Sequence, residues 1–280
     1  LLRSAYRFYL SRFPSQKKLI YEKQYDVLIV LDACRYDYFE EIVWRYLDGK
    51  LLPVRSPASV TIEWLRAVWA NKRWDDIVYV TASPMVNKRG IVSEFDARRH
   101  FLDVIEVWDK GWDERLSTVP PGPVNAATRL AVAKYKLRGK KLGRDYKLVL
   151  HYVQPHAPYI KFRKITEIIT RTPLADEIAD VVLRREGRLA GKIAIDYVIL
   201  AILKEYLKDT NKVNKALRDA YRENLKWVLS YVADLVTKLD TAKIAITADH
   251  GELLGEYGLY FHMSLQVPHL RIVPWFIVKQ

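Results

Sequence analysis

Short, continuously apolar runs, each ending in polar residues, constrain this chain more than any other feature. The clearest is Asp26-Val-Leu-Ile-Val-Leu31, in which no polar residue interrupts positions 27–31. A strand with one wet face would alternate, so an unbroken run of this kind belongs to a strand buried on both faces. Similar runs stand at Ile77 to Thr81, Lys147 to Val153, Lys243 to Thr247 and Arg271 to Val278. Between them lie amphipathic stretches at Ile62 to Asn71, Ala126 to Leu137 and Tyr221 to Leu239. In the last of these, Tyr221, Leu225, Val228, Val232, Leu235 and Leu239 share one face. Buried strands alternating with helices predict a three-layer α/β/α sandwich around a largely parallel sheet.

Residues 1–17 read as an N-terminal amphipathic helix, with Leu2, Tyr6, Tyr9, Leu10 and Phe13 at helical spacing and Pro14 closing the run. Two placements fit. The preferred one packs the helix on the flank of the domain; the other lays residues 1–13, with Arg3, Arg7 and Arg12, on an anionic membrane as a peripheral contact. Residues 165–217 carry charged helices without a strand and are expected to form an insertion or cap on the core of a single domain spanning 1–280. No apolar run approaches the roughly 20 residues of a membrane span, and no secretory signal is visible, which predicts a soluble or membrane-peripheral chain.

Cys34 is the only cysteine, so an internal disulfide and a four-thiolate zinc site are excluded. The charge balance of 46 Lys+Arg against 33 Asp+Glu, net +13, favours anionic partners, although surface basicity serving solubility explains it equally well. No recognised nucleic-acid motif accompanies it.

In open α/β sheets, ligands bind at the carboxyl ends of the strands. The polar residues there are Asp32 after the first run, His156 after the third, and Asp249 with His250 after the fourth. The turn Thr247-Ala-Asp-His-Gly-Glu252 sets a carboxylate and an imidazole side by side, followed by a glycine that permits a sharp bend. Such a pair can bind one divalent ion through oxygen and nitrogen. Taken alone, the same turn also reads as a polar cap.

The longer pattern, from this turn through Leu253-Leu-Gly-Glu-Tyr-Gly-Leu-Tyr-Phe-His262, resembles the metal-binding segment of the alkaline phosphatase/sulfatase superfamily. It is most similar to the branch of phosphoethanolamine transferases and lipoteichoic acid synthases. The resemblance implies an alkaline-phosphatase-like fold, Asp249 and His250 as metal ligands, and His262 as a phosphate contact. Val30-Leu-Asp-Ala-Cys-Arg-Tyr-Asp37 resembles the first-strand segment, which makes Asp32 the third ligand. Many sulfatases carry a second consecutive aspartate where this chain has Ala33. That departure favours one divalent ion, zinc or manganese before calcium. Arg35 and Asp37 either shape the pocket or form a surface ion pair. In His151-Tyr-Val-Gln-Pro-His-Ala-Pro-Tyr159, the resemblance gives His156 to the transferred group. His151 reads better as a hydrogen-bonded core residue, and Gln154 is too weak a ligand to hold a second metal.

The superfamily places its nucleophile at a helix N-terminus after the first strand-and-helix unit. Here Ser56-Pro-Ala-Ser-Val-Thr-Ile-Glu-Trp-Leu65 occupies that place without the Cys-x-Pro-x-Arg pattern of sulfatases. A hydroxyl remains, with Thr61 preferred and Ser59 the runner-up; either side chain alternatively caps the helix. The resemblance thus implies a metal-dependent phosphoryl-ester hydrolase or phospho-group transferase that forms a phospho-threonine and acts on an anionic phosphoester. The alternatives are a sulfuric ester hydrolase and a catalytically silent binding relative. Oligomeric state is left open.

Overall fold

The structure is a computed structural model that describes residues 2–90, 95–143, 145–170, 195–239 and 243–279. In chain order its strands are β1 (Val27–Leu31), β2 (Gly49–Arg55), β3 (Trp74–Thr81), β4 (Phe101–Glu106), β5 (Lys147–Tyr152), β6 (Ile244–Thr247), β7 (Leu253–Leu254), β8 (Tyr260–Phe261) and β9 (Ile272–Val278). Its helices are α1 (Leu2–Ser11), α2 (Gln16–Glu22), α3 (Tyr36–Ile42), α4 (Thr61–Trp69), α5 (Val107–Gly111), α6 (Pro121–Leu142), α7 (Arg163–Thr170), α8 (Ile195–Leu207), α9 (Thr210–Val236) and α10 (Pro268–Arg271).

One 7-stranded sheet runs β2-β9-β6-β1-β5-β3-β4, and β7 pairs with β8 in a separate hairpin. The block β6-β1-β5-β3-β4 is parallel throughout, while β9 is antiparallel to both β6 and β2. Central β1 and β6 are buried at every residue. Both edges, β2 and β4, lie outside the apolar runs that foretell the strands. β2 holds Pro53 and alternates in burial, as an edge strand permits. β4 carries the half-buried Asp103 and buries only Phe101 and Val104.

Side-chain alternation shows helices on both faces. On β5, His151 meets Trp64 of α4 edge-on at 6.2 Å, whereas the neighbouring Tyr152 donates its hydroxyl to Asn125 of α6 at 2.7 Å. Successive strand residues point to opposite faces, so α4 and α6 cover opposite sides and the sandwich has three layers. The longest helix, α9, begins well before Tyr221. Asp209 caps it by accepting from the backbone of Asn211 and Lys212. Its stripe of Val213, Leu217, Leu225, Val228, Val232 and Leu235 is buried, each contributing on the order of 1.5–3 kcal/mol.

α1 docks on the flank: Leu10 is buried, its carbonyl accepts from Arg55 at 3.5 Å, and the Tyr6 hydroxyl meets that of Tyr257 at 3.4 Å. Phe8 and Tyr9 stay exposed on the same helix. Of the segment 165–217, α7, α8 and the first turns of α9 are helical, in line with the sequence; residues 171–194 lie outside the described residues. No helix among the described residues is long and apolar enough to cross a membrane.

Candidate functional site

β1 and β6 are neighbours, so their carboxyl ends bring two turns together. After β1, Ala33 adopts φ 58°, a left-handed conformation that costs an alanine roughly 1–2 kcal/mol. The turn is held from two sides. Ala33 N–H donates to Asp249 Oδ1 at 3.0 Å, and the Tyr221 hydroxyl of α9 donates to the Ala33 carbonyl at 2.7 Å. After β6, His250 N–H donates to the same Asp249 Oδ1 at 2.9 Å. Gly251 sits against the His269 carbonyl, where a Cβ would collide.

Asp249 and His250 thus each have one atom fixed by the protein and one left over. Asp249 Oδ1 takes two N–H groups, while Oδ2 is buried without a partner. His250 Nδ1–H donates to the Gly251 carbonyl at 2.8 Å, which turns the Nε2 lone pair inward. Asp32 Oδ1 is also buried and partnerless. His250 Nε2 stands 3.2 Å from Thr61 Oγ1, 3.4 Å from Asp249 Oδ2 and 3.7 Å from Asp32 Oδ1. Ligands about 2.0–2.2 Å from a tetrahedral ion lie about 3.3–3.6 Å from one another. The three spacings from His250 Nε2 are close to that range.

The electrostatics agree. Burial, only partly offset by Asp249, drops His250 to about 4, leaving it the neutral imidazole that a metal requires. Burial pushes Asp249 up, but its polar neighbours, the Ala33 N–H among them, outweigh it and hold the carboxyl below its ordinary value. Asp32 is raised well above the usual carboxylate range by burial first, then by the nearby Asp249 and Glu252. Two buried carboxylates facing one another without a cation have this signature.

Thr61 opens α4. Val60 is the N-cap, and no side chain caps that turn, so neither hydroxyl serves as the cap. Ser59 is engaged elsewhere: its hydroxyl donates to the Met263 carbonyl at 2.9 Å and accepts from Leu265 N–H at 3.1 Å. Beside Thr61 lie His262 and His156. The His262 ring is 4.4 Å from that of His250 and 4.9 Å from that of His156, centroid to centroid. His262 Nδ1–H donates to Glu252 Oε1 at 3.0 Å. Burial alone would lower His262, but Glu252 overrides it and raises the imidazole above its ordinary value; His156 is lowered by burial and by His262. Asp32, Thr61, His156 and His262 line one cavity of about 430 Å³, with Trp108 and Asp196 further along its wall.

Asp32, Thr61, His156, Asp249, His250 and His262 are thus brought together, and Ser59 is not. Other residues around them were given no site role by the sequence. His151 reads as a core residue, and it is fully buried, yet its Nε2 lies 3.9 Å from Asp32 Oδ2. Its ring nitrogen, Asp32 and Asp249 form one group able to hold a cation, and His156, Glu252 and His262 form a second. Gln16 of α2 donates to Thr247 Oγ1 at 2.7 Å and accepts from Trp64 at 2.9 Å, tying β6 to α4. Asp196 brings a buried carboxylate from the helical segment into the cavity. Arg35 forms the expected ion pair with the exposed Asp37 at 2.6 Å, but it is itself 4 % exposed and also ties the β1 turn to the β7–β8 hairpin through Glu256 at 2.8 Å. Gln154 turns its amide toward the Val119 carbonyl at 3.0 Å.

No family model matches the chain. Over 130 residues it is 26 % identical to a choline-sulfatase of Rhizobium meliloti (strain 1021), a stretch covering 43 % of this chain and 24 % of that protein. The chain's structure is also similar to the lipooligosaccharide phosphoethanolamine transferase A of Neisseria meningitidis, with TM-score 0.48 and 15 % identity, covering 89 % of this chain and 47 % of that one. A phosphonate monoester hydrolase from Silicibacter pomeroyi gives TM-score 0.47 and 14 % identity, over 91 % of this chain and 68 % of the other. The chain thus spans less than half the length of the choline-sulfatase and of the Neisseria transferase it matches.

Proposed function

We propose that this protein is a metal-dependent phosphoryl-ester hydrolase or phospho-group transferase in which Thr61 is the nucleophile. One observation carries the reading: Thr61 Oγ1, His250 Nε2, Asp249 Oδ2 and Asp32 Oδ1 converge in a buried site, and both carboxylate oxygens lack a partner. Asp32, Asp249 and His250 would hold a divalent ion. A mixed oxygen and nitrogen set of this size suits zinc or manganese, whereas calcium asks for six to eight oxygens. When bound, the ion supplies Lewis acidity and lowers the pKa of a coordinated hydroxyl.

The chain's own residues divide the remaining work. Thr61 attacks phosphorus from the start of α4, where the helix dipole favours the anion under attack. The Thr61 proton passes to solvent, the P–O bond to the leaving group breaks with its electron pair, the leaving oxygen takes up a proton from solvent, and Thr61 carries the phosphoryl group. His262, whose protonated form Glu252 favours, and His156 face the cavity beside Thr61 and donate to the non-bridging oxygens. Water or an acceptor alcohol then opens the threonine ester and returns the hydroxyl. The exposed Phe8, with Arg7 and Arg12 on the same helix end, would carry any peripheral contact with an anionic membrane.

The choline-sulfatase match favours a second reading, hydrolysis of sulfate esters by the same groups. Against it, Cys34 is buried, with its thiol against the Arg35 carbonyl rather than at α4. Elemental analysis of protein purified without chelator, together with p-nitrophenyl phosphate, bis-p-nitrophenyl phosphate and p-nitrophenyl sulfate, tests both. We expect about one zinc or manganese per chain and turnover of a phosphate ester. Metal with turnover of sulfate alone would select the second reading, and neither metal nor turnover would remove both.

A further inference from the structure

We propose that His151 is a positioning residue for the metal site: a neutral imidazole with its proton on Nε2, it faces Asp32 Oδ2 and so leaves Oδ1 for the cation. This rests on the metal-dependent reading above and gives a site role to a residue that the sequence reads as core.

The argument begins at the other end of the ring. His151 Nδ1 lies 3.0 Å from the hydroxyl of Tyr79, and both side chains are wholly buried. A phenol keeps its proton near neutrality, and a buried hydroxyl needs an acceptor. Among the described residues, Nδ1 is the acceptor within reach of Tyr79. An accepting Nδ1 carries no proton, so the proton of the neutral ring is on Nε2. That nitrogen has no hydrogen-bond partner and stands 3.9 Å from Asp32 Oδ2. At this range the contact is electrostatic rather than a full hydrogen bond. An N–H there attracts the carboxylate, whereas a lone pair would repel it.

The opposite tautomer donates Nδ1–H to the phenol oxygen. It strands the Tyr79 proton in an aromatic pocket of Trp69 and Phe101, whose rings lie 6.3 and 4.7 Å from that of Tyr79. In that arrangement His151 would be a ligand instead. The favoured arrangement repeats the logic of the other two residues. Asp249 has one oxygen held by N–H groups and His250 one nitrogen held by a carbonyl, so that one atom of each is presented inward. His151 does this for Asp32. Partners of this kind commonly change metal affinity 10–100-fold.

Nitrogen NMR of histidine-labelled protein, metal-free and then titrated with zinc, tests the assignment. His151 signals are identified by their loss in His151→Gln. The expected spectrum shows His151 as the Nε2–H tautomer in both states, while His250 shifts on zinc addition. Tyr79→Phe, which preserves shape, should lose the tautomer preference. His151→Leu should weaken zinc binding about 10–100-fold at unchanged stoichiometry, and His151→Gln, which keeps an N–H donor, should recover most of that loss. An Nδ1–H tautomer, or an Nε2 that shifts on zinc addition, would make His151 a ligand and overturn the proposal. Wild-type zinc affinity in His151→Leu would overturn it too. Failure of the wild-type protein to bind any divalent ion sinks the metal reading itself, a result the metal-free spectrum does not mimic.

Discussion

Thr61 Oγ1 lies 3.2 Å from His250 Nε2, so the first residue of a helix meets a strand-end turn 189 positions later. The contact separates the two candidate hydroxyls. Thr61→Ala should lower turnover by on the order of 10³-fold or more, abolish any acid-stable phospho-enzyme and leave metal content near that of the wild type. Ser59→Ala removes the anchor of the 263–265 loop and should cost about 1–2 kcal/mol of stability with far less effect on rate. Mass spectrometry of quenched reactions reads the difference. A phosphoryl group on Ser59 would reverse the assignment.

Metal removal should act on stability as well as on rate. The two unpartnered carboxylate oxygens are costly while no cation neutralises them. Dialysis against chelator should therefore lower the melting temperature and abolish turnover. Zinc or manganese at about 100 times its dissociation constant should restore about 2.7 kcal/mol. Calorimetry with and without metal measures this, and an unchanged melting temperature would contradict the assignment of Asp32, Asp249 and His250.

The pH profile should report His262. Glu252 raises its pKa against the opposing effect of burial, so the protonated donor is lost only as pH rises through the raised value. Activity should fall on that alkaline limb. In Glu252→Gln burial dominates, and the limb should move to lower pH. The stability linkage has the same sign. A histidine raised in the folded state stabilises fully below its unfolded pKa of about 6.5, and the contribution disappears as pH passes the folded value. The variant should therefore lose more stability at pH 5 than at pH 9. An alkaline limb unmoved by Glu252→Gln would assign it to another group.

What was legible in the sequence divides along physical lines. Central strands declare themselves because both faces are dry, as in β1, whereas β2 with Pro53 and β4 with Asp103 are edges that one-sided burial leaves compositionally mixed. Asp32, Asp249 and His250 were readable because each directly follows an apolar run. Thr61 and His262 came from resemblance. His151 was not readable as a site residue, since its role depends on Tyr79 from β3 and Asp32 from β1 meeting on one sheet face. Gln16 was hidden for the same reason: its partners, Trp64 and Thr247, lie 48 and 231 positions away.

Arg35 gives the sharpest test of how the two turns are held together. It is 4 % exposed and pairs with Asp37 at 2.6 Å and Glu256 at 2.8 Å, and it donates to the Glu252 carbonyl at 3.3 Å. The two acids differ in setting: the Asp37 side chain is 58 % exposed and the Glu256 side chain 14 %. Without the guanidinium, Asp37 simply rehydrates, whereas Glu256 keeps a largely buried charge that burial disfavours and Arg35 offsets. Removing one partner of a buried pair costs about 3–5 kcal/mol, and Arg35→Ala should do so. A double-mutant cycle divides that loss. The Arg35–Asp37 coupling should be about 0–1 kcal/mol, as for exposed pairs, and the Arg35–Glu256 coupling clearly larger. Because Glu252 and Glu256 flank the β7 hairpin that leads to His262, Arg35→Ala should also lower turnover while Asp37→Ala leaves it nearly unchanged. Equal couplings for the two acids would mean that Arg35 serves Asp37 as much as Glu256, and that the β1 turn is not anchored through the hairpin.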